Sequence, residues 1–162
     1  MISTSTKTIS HRQRLLLCLA LVVVLWLPRG LALDHFVAVD ERSWLTRSGN
    51  FYLALSTGDL ASTFQRYHPG VTTMWLGMLG FLWQYPDYPA DAAGQITSMS
   101  DGIEDFLTAQ GHPPMTLLAA GRAFVVLAIV LLLVLSFWLA IDLLGWLPAL
   151  VGILLLGFEP MG

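Results

Sequence analysis

Lysine occurs once in these 162 residues, at Lys7, and cysteine once, at Cys18. A single cysteine excludes an intrachain disulfide framework and a cysteine-based zinc site. With one lysine and a net charge of -3, bulk nucleic-acid binding has no electrostatic basis. Charged residues make up only 12% of the chain, while 56% is hydrophobic and the mean hydropathy is +0.68. Soluble domains carry about a quarter charged residues, so neither a disordered chain nor an ordinary cytosolic enzyme fits this composition. No HExxH pair, no glycine-rich phosphate loop and no G-x-S-x-G elbow is present. Those absences remove the commonest zinc-hydrolase, nucleotide-binding and serine-hydrolase signatures.

What is abundant is clustered apolar sequence. Residues 15–27 read LLLCLALVVVLWL, preceded by Lys7, His11, Arg12 and Arg14. A basic flank before an apolar run marks a first membrane segment with its N-terminus in the cytoplasm. Carried past Pro28 and Arg29, the run predicts a transmembrane helix over 15–33, after a cytoplasmic tail at 1–14, with Arg29 snorkelling outward. A cleaved signal peptide is the alternative, with Gly30-Leu31-Ala32 as the small-x-small site. Residues 123–141, AFVVLAIVLLLVLSFWLAI, contain no charge, and they predict a second span over 122–142. Asp142, Gly145 and Pro148 then interrupt the pattern, and a third helix is expected over 145–160.

Between these runs lies a polar segment, 34–121, far longer than an ordinary loop. Its one apolar stretch, Val71 to Tyr85, predicts a helix over about 70–85. Thr73, Gly77, Gly80 and Gln84 share one face of that helix at 100° per residue. Trp75, Trp83 and Tyr85 suit a membrane interface. The expectation is a juxtamembrane helix in the outer leaflet. A short spanning helix packed through its small residues is the alternative. Residues 86–121 hold Asp87, Asp91, Asp101, Glu104 and Asp105 but no lysine or arginine before position 122, which suits an external loop. The predicted fold class is therefore all-α: multi-spanning membrane helices with a long external loop carrying a juxtamembrane helix. The partner this implies directly is membrane lipid.

Three local patterns carry chemistry. Asp40-Glu41 follows the first apolar run closely, which places two carboxylates near the headgroups. A carboxylate there serves as a general base toward a hydroxyl, as a ligand for a divalent cation, or only as a helix-start acid favoured by the macrodipole. Arg66-Tyr67-His68-Pro69-Gly70 precedes the juxtamembrane helix; Arg66 and His68 beside exposed helix N–H groups form a candidate anion site. His112-Pro113-Pro114 precedes Arg122 and the long apolar run.

The order of these pieces resembles the N-terminal module of the large multi-spanning glycosyltransferases of the GT-C superfamily. These use lipid-phosphate sugars and include the protein O-mannosyltransferases and the lipid A aminoarabinose transferases. The resemblance rests on Asp40-Glu41 after the first helix, His68-Pro69-Gly70 in the same loop, Arg122 opening the next long helix, and Phe158-Glu159-Pro160 after the helix pair. Gly70 stands where the family has a second proline, and Glu159 where it has an aspartate. The resemblance implies Asp40 as catalytic carboxylate with Glu41 as its acidic neighbour, and Arg66, His68 and Arg122 on the donor phosphate side. It further implies a polyprenyl-phosphate-linked sugar donor, an acceptor hydroxyl attacking with inversion, and a setting such as a bacterial plasma membrane. Family members have about a dozen spans, so the sequence predicts an incomplete GT-C-like bundle, inactive by itself. The competing expectation is a non-catalytic membrane-anchored protein whose external loop binds a partner.

Overall fold

A computed structural model describes residues 9–35, 37–38, 40–65, 70–93 and 102–158. Among these the chain is helical throughout, with no strand. It divides into two compact units, one of residues 1–31 and 126–162 and the other of residues 32–125.

The first unit holds helix α1 (His11–Gly30), the later part of α6 (Pro114–Leu144) and α7 (Trp146–Phe158). α1 begins four residues before the apolar run because a capping box fixes its start. The Ser10 hydroxyl accepts from the Gln13 N–H at 3.3 Å, and the Gln13 side chain accepts from the Ser10 N–H at 2.9 Å. Pro28 is accommodated inside the last turn, and the helix closes at Gly30 rather than reaching Leu33. α1 and α6 have the length and apolarity to cross a membrane, with mean hydropathies of 1.6 and 3.1 in their best windows. Only 17% of each window is buried within the protein. An apolar helix in a soluble core would be mostly covered, so the low burial marks α1 and α6 as candidate membrane spans.

The bundle core is formed by Cys18, Leu21 and Leu25 of α1, Val130 and Phe137 of α6, and Ala149 and Ile153 of α7. Gly157 lets α7 close on α1, since a Cβ there would overlap Leu25. Two arginines tie α1 down. The Arg14 guanidinium donates to both Asp142 oxygens at 3.0 and 2.9 Å and to the Trp138 carbonyl, and lies over the Trp138 ring. Arg29 does not only reach outward: it donates to the Leu25 carbonyl at 3.1 Å and to the Gly157 carbonyl of α7. The break between α6 and α7 is one residue, Gly145, at φ 82°. That left-handed value favours glycine. Asp142 and Pro148, read as parts of a broader turn, lie within the helices; Pro148 is in the first turn of α7, where its missing N–H leaves no bond unmade.

The second unit contains α2 (Glu41–Thr57), a 3₁₀ turn (Leu60–Thr63), α3 (Val71–Gln84), the short helices α4 (Tyr88–Asp91) and α5 (Glu104–Ala109), and the start of α6. α2 is the organiser. Leu45 joins Phe81, Tyr85, Tyr88, Ile103, Leu107 and Leu117 in one cluster, and Phe51 packs with Met74 and Met78 of α3 in another. Gly58 ends α2 at φ 75°. The small-residue face of α3 is a packing face. A Cβ on Gly77 would overlap Ser48 of α2, and a Cβ on Gly80 would lie 2.6 Å from the Gly121 backbone nitrogen. α6 starts at Pro114, eight residues before the expected start of the second span at Arg122. The residues before Arg122 are thus the first two turns of one continuous helix.

Candidate functional site

Two of the residues singled out in the sequence, Glu41 and Arg122, meet where α2 begins, and Asp40 adjoins them. Asp40 is the N-cap residue of α2, exposed, with its side chain making no capping hydrogen bond. Glu41, the first helical residue, reaches back ahead of the helix instead: its Oε2 accepts from the Ala38 N–H at 2.7 Å. The same carboxylate is gripped by Arg122, with Nε to Oε1 at 2.8 Å and Nη2 to Oε2 at 2.6 Å. This paired geometry is the strong form of a charge-assisted contact. Nη1 of Arg122 also donates to the carbonyl of Leu33 and, at 3.2 Å, to that of His35. Arg122 thereby fixes the segment ahead of α2 and the first turn of α2 to one point on α6.

The electrostatics separate the two carboxylates. The Arg122 hydrogen bonds hold the Glu41 carboxyl below the usual glutamate range, against the opposing effect of burial. The Glu41 and Arg122 side chains are 26% and 18% exposed. With both oxygens engaged, Glu41 is a poor proton acceptor and a poor metal ligand. Asp40, one residue away, is the carboxylate open to solvent. Asp34 is held low by a 2.7 Å contact with the His35 ring, both side chains being exposed.

Beside this point lies a cavity of about 400 Å³ with an apolar floor of Val37, Leu45, Met115 and Leu118. Its rim carries a second ion pair, Arg42 Nε to Glu104 Oε1 at 2.5 Å, which joins α2 to α5. Burial pushes the Glu104 carboxyl up, but the Arg42 contact and a backbone hydrogen bond together bring it below its ordinary value. Sequence reading missed this pair, and no local signal announces two residues 62 apart.

His112 is held as a packing group. Its ring stacks on Tyr85 at 3.6 Å between centroids, and the Tyr85 hydroxyl donates to Asp91 at 2.7 Å. Burial and that carboxylate push the Tyr85 phenol well above its ordinary range. Arg66, His68 and Pro69 of the candidate anion site, and Glu159-Pro160 after α7, lie outside the described residues. Gly70, the last residue of the anion-site motif, caps α3 beneath Trp44, which a Cβ on Gly70 would overlap. Among the described residues no three His, Cys, Asp or Glu side chains converge as a metal site.

Comparison with known protein families, with curated proteins and with solved structures returned no match. The functional reading therefore rests on the residues and their geometry.

Proposed function

We propose that this chain is the N-terminal module of an integral membrane glycosyltransferase. In this reading α1, α6 and α7 are membrane helices, the N-terminus is cytoplasmic and residues 34–121 are external. Asp40 takes the proton from an acceptor hydroxyl as its oxygen attacks the anomeric carbon of a sugar on a polyprenyl phosphate. The bond from that carbon to the phosphate oxygen breaks, and the phosphate departs with the electron pair. Arg66 and His68 are assigned to the departing phosphate, where negative charge grows in the transition state. The lipid anchor confines the donor to the surface on which Asp40 lies, which lowers the entropy lost on encounter.

The observation that carries this reading is the division of labour between adjacent carboxylates. A purely structural acidic pair would use its N-cap aspartate to close the helix. Here the Asp40 side chain makes no capping bond and stays exposed at the positive end of α2, while Glu41 is tied to Arg122 and to the Ala38 N–H. Arg122, assigned to the donor phosphate by resemblance, is better suited to positioning: it holds Glu41 and the approach to α2, and so sets where Asp40 stands. With Glu41 committed to Arg122, a general-base role for Asp40 is favoured over a shared divalent cation.

The test is Asp40→Asn in the whole membrane protein, with transfer from a polyprenyl-phosphate sugar measured in native membranes. A positioned general base contributes roughly 10²- to 10⁴-fold, and the expected loss is of that size with donor binding retained. Unchanged turnover removes Asp40 from the mechanism. The second reading, a non-catalytic anchored protein whose external loop binds a partner, predicts no transfer by the unsubstituted protein either.

A further inference from the structure

α3 contains no charged residue, yet only one side of it is covered. Met74, Met78 and Phe81 are buried, and Gly77 and Gly80 meet Ser48 and Gly121. At 100° per residue these positions fill one arc of the helix. The opposite arc, roughly 120° wide, carries Val71, Trp75, Leu82 and Trp83, with Thr72 its one polar side chain and Leu79 partly buried against the Phe51, Met74 and Met78 cluster. Val71, Trp75 and Leu82 are about half exposed, and Trp83 is 74% exposed. Water is a poor partner for such a surface.

We propose that this arc is a lipid-binding surface, and that α3 is an in-plane anchor seated in the bilayer interface. Three observations select lipid. The unit that contains α3 is continuous at one end with α1 and at the other with α6, the two helices able to cross a membrane, so the chain itself holds α3 near a bilayer. The arc is uncharged and carries two tryptophans, the side chains that favour the headgroup boundary. Length disfavours a crossing: 14 residues rise about 21 Å, against a hydrocarbon core of about 30 Å. The surface is independent of glycosyl transfer and holds equally for a non-catalytic anchored protein.

The test uses the full chain with Cys18→Ala in phosphatidylcholine–phosphatidylglycerol vesicles. Spin labels are placed singly at Leu82→Cys and Trp83→Cys on the arc, and at the exposed Asp105→Cys of α5 as a water reference. Collision with oxygen and with a water-soluble nickel chelate gives depth. The expected result is that both arc positions favour oxygen and lie about 5–10 Å below the phosphates, while position 105 favours nickel. Nickel preference on the arc would overturn the proposal. So would a midplane depth, meaning that α3 crosses, or exclusion of both reagents, meaning that protein covers the arc.

Discussion

Breaking the contact between Arg122 and Glu41 should release the segment ahead of α2, and its cost can be worked from the geometry. Arg122→Met keeps the aliphatic stem and removes every donor. It eliminates two charge-assisted hydrogen bonds to Glu41 and two to the carbonyls of Leu33 and His35. Glu41 is then left charged and largely covered, still accepting from the Ala38 N–H at 2.7 Å. A hydrogen bond to a charged group contributes about 1.5–3 kcal/mol, and removing one partner of a buried pair costs about 3–5 kcal/mol. With both side chains still partly exposed, a loss of about 2–3 kcal/mol is expected, below that buried limit. Glu41→Gln should cost about 1–2 kcal/mol. The double variant should recover about 1–2 kcal/mol relative to the sum, because the second change removes a charge that already lacks its partner. The assay is denaturant unfolding of the detergent-solubilised chain for all four proteins, with amide exchange at Ala38 as a local probe. The two substitutions adding within about 0.3 kcal/mol would refute the pairing. Acid supplies an independent check. The folded Glu41 carboxyl titrates below its unfolded value, so the unfolded state binds more protons in that window. The pair's contribution is complete above about pH 5. It is lost as pH falls through the depressed folded value, and the difference between wild type and Glu41→Gln should shrink with it.

Two further substitutions probe the packing around α2 and α3. Gly80→Ala places a methyl 2.6 Å from the Gly121 nitrogen and 2.9 Å from its Cα. Backbone cannot swing aside as a side chain does, so a loss of about 1–3 kcal/mol is expected, read as a lower midpoint in the same unfolding assay; an unchanged midpoint would deny the close approach. Tyr88→Phe should be neutral or raise stability by up to about 1 kcal/mol. The Tyr88 ring is fully buried and its hydroxyl has no hydrogen-bond partner among the described residues, so the substitution removes an unmet polar group while retaining the ring contacts. A clear destabilisation would reveal a partner for that hydroxyl.

The apolar helices were legible because their signal is additive along the chain. α1, α3, the later part of α6 and α7 each coincide with a run that the eye finds without knowledge of a partner. Their ends were less legible, since capping residues set them: Ser10 and Gln13 pull α1 back to His11, and Gly145 alone separates α6 from α7. The early turns of α6 escaped because MTLLAAG is small and mixed, and its helical state depends on packing against α3 through Gly121. α2 was hidden for a different reason. It buries Thr46, Arg47 and Ser48 as well as Leu45 and Phe51, so its covered surface is broad and polar in part, and no single apolar stripe appears. Asp40, Glu41 and Arg122 were each visible as chemistry-bearing residues. Their arrangement was not, because a pairing across 81 residues leaves no local trace. The structure thereby gives the adjacent acids different surroundings that residue type alone does not distinguish.

The claim on which the functional reading stands is that Asp40 presents an open carboxylate on the outer side of the membrane. Asp40→Cys treated in intact cells with a membrane-impermeant maleimide tests it directly, because Cys18 is buried and the unsubstituted protein sets the background. Labelling from outside, without permeabilisation, is the predicted result. Labelling only after the cells are opened would place position 40 in the interior and contradict the account.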